Sequence, residues 1–140
     1  MAWFAGANPL NQLGNTNKGV RALKSLEFIV VQDLFTTPTA RYADILLPVK
    51  SFAEKSDLTR PWPSGPYFTF TNKAIEPLGE CKTDWEIACL LAEGLGFEDF
   101  DNLSEEEWLR ILVKENPEYA LYIKDYDEFK REGTYLVKLH

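Results

Sequence analysis

The residues best suited to chemistry are amides and acids gathered after short apolar runs. Asn8, Asn11, Gln12 and Asn15 follow the run at residues 3–5, and Gln32 and Asp33 follow the run at residues 28–31. A side-chain amide both donates and accepts, so such loops suit the edge of a heterocyclic base. A carboxylate accepts through two oxygens, which matches the paired N–H donors of guanine or the two hydroxyls of a ribose. Lys55 can answer a phosphate or an electron-rich ring. Asp84 falls in the first turn of an expected helix, where it either stabilises the dipole or accepts from a ligand. The competing reading at each position is ordinary turn chemistry and capping.

Other chemistries find little support. The only histidine is His140, the last residue, which leaves almost no room for histidine-based catalysis. The sequence holds no G-x-G-x-x-G, Walker or G-x-S-x-G pattern. Cys81 and Cys89 are too few for a disulfide framework and form no C-x-x-C pair, so they read as a loop thiol and a buried helix thiol. Glu105, Glu106 and Glu107 form an acidic run that reads as helix-start electrostatics rather than acid–base machinery.

These groups need a scaffold. Trp3–Ala5 is a strand candidate closed by Gly6, and Asn8-Pro9 forces a turn because the residue before proline avoids the α region. Residues 10–15 read as a polar loop. Asn15 or Thr16 can cap a helix running to about Ser25, with Val20, Leu23 and Leu26 on its buried face. Gly19 weakens that helix by about 1 kcal/mol relative to alanine, and suggests a close approach to the sheet or a ligand. Phe28–Val31 is apolar and rich in β-branched residues, as a strand covered on both faces should be. Pro38–Ala43 fits one or two helical turns, and Ile45–Leu47 a third buried strand stopped by Pro48. Strand, helix and strand in this order make a βαβ unit, and loops at the carboxyl edge of such a sheet are where nucleotides bind.

Beyond Ser51 the character changes. Residues 51–66 read as an irregular excursion anchored by Trp62 among Pro61, Pro63, Ser64, Gly65 and Pro66. Tyr67–Thr71 alternates as a half-exposed strand does. Thr83 and Glu86 form a capping box ahead of a helical stripe of Trp85, Ala88, Cys89, Ala92 and Leu95. Ser104 and Glu107 repeat the box before Trp108, Ile111 and Leu112. Asn116-Pro117 starts a further helix, and Asp125 to Glu128 can cap a last one ended by Gly133.

At 140 residues the chain fits one domain, and 45% hydrophobic content supports a globular core. No apolar run is long enough to cross a bilayer, and the start lacks the pattern of a signal peptide. A formal charge of −7 argues against a nucleic-acid partner, since such binding rests on neutralising phosphates.

The residues from Ala7 to Asn15, from Leu26 to Asp33, from Thr37 to Pro48 (TPTARYADILLP), Glu54-Lys55, and from Ile75 to Ile87 resemble, in order and spacing, the molybdopterin oxidoreductases of the dimethyl sulfoxide reductase family. That family includes formate dehydrogenases, nitrate reductases, and thiosulfate and polysulfide reductases. The resemblance covers residues 2–97. It implies an α/β fold: a three-layer, Rossmann-like parallel sheet with flanking helices and a helical C-terminal extension. Residues 1–97 would be a partial third domain that helps hold one molybdopterin guanine dinucleotide, and residues 98–140 its helical extension. Cofactor contacts are implied for Asn15, Gln32, Asp33, Lys55 and Asp84, with Asn8 on the same loop edge. After Glu54-Lys55, where relatives often carry a Gly/Asn-rich turn, this chain instead reads SDLTRPWPSG.

The resemblance further implies two-electron redox chemistry at molybdenum, as in anaerobic respiration, carried out by a longer catalytic subunit. Nothing in these residues resembles the family's iron–sulfur cysteine cluster, a molybdenum ligand, the second nucleotide-binding domain or the C-terminal barrel. The chain is therefore expected to be a fragment without turnover of its own. Expected partners are the remaining domains of that subunit and an iron–sulfur electron-transfer subunit, with self-association through exposed apolar surface. A stand-alone acidic interaction domain, using Trp62 or Trp108, is the alternative. A nicotinamide-dependent dehydrogenase domain is disfavoured by the missing Gly-rich turn. The compartment is not legible.

Overall fold

The computed structural model describes residues 1–60, 65–97, 100–101 and 103–137, so the expected Trp62 anchor and His140 lie outside the described residues. The chain divides into two compact units, Met1–Ser51 with Pro77–Leu91, and Phe52–Glu76 with Ala92–His140.

The first unit is built on a parallel sheet. Strands β1 (Ala2–Ala5), β2 (Ile29–Asp33) and β3 (Ile45–Pro48) lie in the order β1-β2-β3. Both pairings are parallel, with Ala5 opposite Gln32 and Asp33 opposite Pro48. All three strands therefore end at one edge. Helices α1 (Pro9–Gln12) and α2 (Thr16–Lys24) connect β1 to β2, and a 3₁₀ turn at Ala40–Tyr42 connects β2 to β3. Leu10, Leu23, Ile29, Val31 and Ala40 form the core on one face of the sheet. Each leucine, isoleucine or valine among them contributes about 1.5–3 kcal/mol when fully buried. Helix α3 (Asp84–Gly94) begins beside the end of β3, where Val49 bridges to Lys82 in parallel. The mixed α/β class thus holds, with helices flanking a parallel sheet.

Three expectations about this unit need correction. Residues 9–12 are helical rather than loop, because Pro9 supplies the preset φ favoured at the first helical position. Strand β3 is not buried: Ile45 is 45% and Leu46 39% exposed, since β3 is an edge strand. Gly19 permits a close approach to Leu10 rather than to the sheet. A Cβ built there would lie 2.8 Å from Leu10 Cδ2.

The second unit has its own sheet. Strands β4 (Asp57–Thr59), β5 (Tyr67–Thr71) and β6 (Thr134–Leu136) pair antiparallel in that order. Two of these strands were not expected. β4 lies in the stretch read as irregular, and β6 follows the Gly133 stop; each is only three residues long, too short to display an alternation. Helices α4 (Glu105–Glu115), α5 (Pro117–Tyr122) and α6 (Tyr126–Glu132) begin at the caps expected from sequence. The core gathers Phe68, Phe70, Leu109, Val113, Ile123 and Phe129. Phe70 meets Phe129 edge-on at 5.9 Å and Tyr126 at 5.6 Å, the geometry aromatic quadrupoles prefer. Burial along the helices adds detail that the caps did not carry, and corrects the end of the stripe expected on α3. On α4 the buried residues are Leu109 and Val113, while Trp108 is 36% and Leu112 45% exposed. On α3 Ile87 and Ala92 are buried, and Leu95 lies exposed just past the helix end.

Candidate functional site

The carboxyl edge of the parallel sheet collects polar groups because each strand must there release its backbone into a turn. After β1 comes Asn8. Its Oδ1 accepts from the Thr39 N–H at 3.3 Å and from the Thr39 hydroxyl at 2.8 Å. Thr39 Oγ1 in turn accepts from the Leu10 N–H at 3.2 Å, and Thr39 is fully buried. The loops after β1 and β2 are thereby tied together. Asn15 is exposed and caps α2, its Oδ1 accepting from the Lys18 N–H at 2.9 Å.

At the end of β2, Gln32 is buried and Asp33 is half-buried. The indole N–H of Trp3 donates to Gln32 Oε1. Gln32 Nε2 donates to Asp84 Oδ1 at 2.8 Å. Asp33 Oδ1 accepts a long bond of 3.4 Å from the Phe35 N–H. Asp84 is an exposed carboxylate at the start of α3.

The start of α3 is held in place from two directions. Glu86 accepts from the Thr83 N–H at 2.6 Å, and the Glu86 N–H donates to the Thr83 hydroxyl at 3.0 Å, completing the expected box. Lys50, just past β3, pairs with the same Glu86 oxygen at 2.7 Å. Burial pushes the Glu86 carboxyl up. Bonds from Lys50 and the Thr83 N–H, with the Lys50 charge, outweigh that and hold it below its ordinary value. Asp84 is thus presented beside the end of β2 by a rigid helix start.

Of the six residues singled out from sequence, Gln32 and Asp84 are bonded to each other, and Asp33 is Gln32's neighbour on the strand. Asn8 and Asn15 occupy the connection leaving the same edge at β1. Lys55 belongs to the second unit, where it pairs with Asp57 at 2.9 Å. Sequence reasoning passed over Trp3, Thr39, Lys50 and Glu86 as parts of this arrangement. Trp3 carried the one available signal, since an indole N–H in a strand needs an acceptor.

The opposite face of the sheet carries an open apolar trough of about 520 Å³, lined by Trp3, Leu46, Leu47, Ile87, Leu90 and Leu91 among others. Leu90 is 51% and Leu91 43% exposed. Among the described residues no helix is long and apolar enough to cross a membrane.

A parallel sheet whose carboxyl edge gathers acids and amides defines an α/β class in which ligands bind at that edge. Comparison makes the class specific. Residues 1–94 match the molybdopterin oxidoreductase family model. Dimethyl sulfoxide reductase DmsA of Escherichia coli K12 is 34% identical over 96% of this chain and 18% of its own length. A formate dehydrogenase subunit alpha of Methanocaldococcus jannaschii is 37% identical over 84% of this chain and 17% of its own. The acetylene hydratase of Pelobacter acetylenicus superposes with a TM-score of 0.69 at 26% identity, over 98% of this chain and 18% of that one. The chain belongs to the molybdopterin oxidoreductases of the dimethyl sulfoxide reductase family, and spans under a fifth of the length of these relatives.

Proposed function

We propose that this chain is the part of a molybdopterin-dependent catalytic subunit that holds one molybdopterin guanine dinucleotide along the carboxyl edge of its parallel sheet. The reading rests above all on the Gln32–Asp84 bond, which sets a carboxylate from a helix start beside the Asp33 end of β2. The donor set fits the nucleotide. Asp33 and Asp84 are acceptors suited to the N–H edge of guanine or to ribose hydroxyls. Asn15, at the cap of α2, adds a carboxamide whose nitrogen can donate. Asn8 offers only its carboxamide nitrogen, because its oxygen serves Thr39. Lys55, paired with Asp57, is the least supported of the six.

The bound group would supply two-electron redox chemistry at molybdenum, and the residues here would bind and orient it. The names of the relatives include a reductase, a dehydrogenase and a hydratase, so the substrate is set outside this edge. Residues 1–97 would carry the nucleotide contacts and residues 98–140 would extend the domain. The remaining domains of a longer catalytic subunit would cover the trough at Leu46, Leu90 and Leu91, and an iron–sulfur subunit would exchange electrons with the whole.

Guanosine diphosphate titrated into the ¹⁵N-labelled chain tests the reading. Resonances of Asn15, Gln32, Asp33 and Asp84 should move together, and Asp33→Asn with Asp84→Asn should abolish the response. No response at millimolar nucleotide, or one centred on other residues, overturns it.

A further inference from the structure

We infer that Trp3 is a positioning residue: through Gln32 it sets which way the Asp84 carboxylate is presented at the carboxyl edge. The inference rests on the nucleotide reading above and adds a residue to it.

Hydrogen-bond polarity orients the Gln32 amide. An indole N–H can only donate, and an ionised carboxylate can only accept. Gln32 sits between them, with Oε1 toward Trp3 and Nε2 toward Asp84 at 2.8 Å. The reverse orientation would set two donors against each other at Trp3 and two acceptors against each other at Asp84. The amide therefore has one permitted orientation, held from one end by Trp3 and from the other by Asp84. Gln32 is only 5% exposed, so water cannot substitute freely for either partner.

The relay also crosses the sheet. Trp3 lies on β1, Gln32 on β2, and Asp84 at the start of α3. Gln32 is consequently an internal connector whose oxygen and one N–H are committed. The group it delivers to a ligand is the Asp84 carboxylate, an acceptor for paired N–H or O–H donors. Without the indole N–H, Gln32 Oε1 has lost its donor, and the amide is free to swing off Asp84 in search of another.

Trp3→Phe keeps the ring and removes the donor. In the ¹⁵N-labelled 140-residue chain, this change should shift and broaden the Gln32 carboxamide resonances. Guanosine diphosphate affinity should fall roughly fivefold, the loss of about one ordinary hydrogen bond. Gln32→Met breaks the relay while leaving Trp3 in place, and should lose a similar amount. The double variant should lose no more than either alone. Adenosine diphosphate identifies the donors: an affinity loss confined to the guanine nucleotide assigns Asp84 to the base edge, and a loss for both assigns it to the ribose. Unchanged Gln32 resonances in Trp3→Phe overturn the inference, as do losses that simply add. If the unaltered chain takes up no guanosine diphosphate, the nucleotide reading falls, and the Gln32 resonances in Trp3→Phe alone decide whether Trp3 orients the amide.

Discussion

The Thr39 hydroxyl donates to Asn8 Oδ1 at 2.8 Å, joining the loop after β1 to the loop after β2 through a side chain with no exposed surface. The same oxygen of Thr39 receives the Leu10 N–H at 3.2 Å, so one hydroxyl satisfies two groups of the β1 connection. Thr39→Val keeps the shape and deletes both roles. It should cost about 1–3 kcal/mol, because the buried Leu10 N–H loses its acceptor and Asn8 Oδ1 keeps only the backbone N–H of residue 39. Thr39→Ser should recover most of it. Urea unfolding midpoints check the order; equal stability of the valine and serine variants would remove the hydroxyl from the account.

Gly19 owes its place to Leu10. Helix propensity alone predicts that Gly19→Ala gains about 1 kcal/mol. The new methyl would lie 2.8 Å from Leu10 Cδ2, however, and Leu10 is core. Overpacking of this kind costs about 1–3 kcal/mol, so the substitution should come out net destabilising by about 1 kcal/mol. With Leu10→Val in the background, Gly19→Ala should turn favourable. A double-mutant cycle by thermal unfolding measures the coupling, and additive effects would contradict the contact.

These two residues mark what the sequence could and could not disclose. The helix caps were legible, because Asn15, Thr83, Ser104, Asn116 and Asp125 act on N–H groups within three residues. Strand β2 was legible from its continuous apolar run. The parallel edge was legible from strand–loop order alone, and with it the positions of Gln32 and Asp33, while Asp84 was legible only as a helix start. The partners across the edge were not, because Trp3 and Gln32 are separated by 29 residues and Gln32 and Asp84 by 52. Pattern also misjudged exposure: β3 looks like a core strand by composition, yet it lies at the sheet edge with Ile45 and Leu46 exposed. The three-residue strands β4 and β6 carry no periodicity to read, and only the intervening β5 gives their sheet away.

Asp44 separates folding from the proposed nucleotide binding. It sits in the motif most specific to the family, yet it acts at the amino end of the sheet. Its Oδ2 accepts from the Ile29 N–H at 2.7 Å, and its own N–H donates to Ile29 O at 2.9 Å. This pair of bonds registers β3 on β2. Asp44→Ala should cost about 1–3 kcal/mol, in the range of hydrogen bonds to charged groups. In the fraction that remains folded, guanosine diphosphate should still move the Asp33 and Asp84 resonances. Loss of that response in folded protein would give Asp44 a role at the carboxyl edge.

The second unit carries an acid-sensitive clasp. Glu106 on α4 accepts from Lys130 on α6 at 2.6 Å and pairs with Arg110 at 3.2 Å, while Arg110 reaches Asp127 at 2.6 Å and lies 4.3 Å from the centre of the Tyr126 ring. Burial pushes the Glu106 carboxyl up, but the Lys130 bond and the Lys130 and Arg110 charges outweigh it, so it titrates below its ordinary 4.5. A carboxyl more acidic in the folded state than in the unfolded one stabilises the fold above its unfolded value. That contribution fades as pH falls from about 4.5 through the lower folded value. With Lys130 36% and Glu106 38% exposed, solvent screening limits the pair to about 0.5 kcal/mol. Glu106→Gln should therefore be slightly less stable than the parent at pH 7, and the two stabilities should converge below pH 4. Lys130→Met should behave in the same way, and the double variant should lose little more than either. Denaturant midpoints across pH 3 to 7 test the clasp: a gap that widens on acidification would reverse the sign, and strict additivity would show that the two side chains act apart.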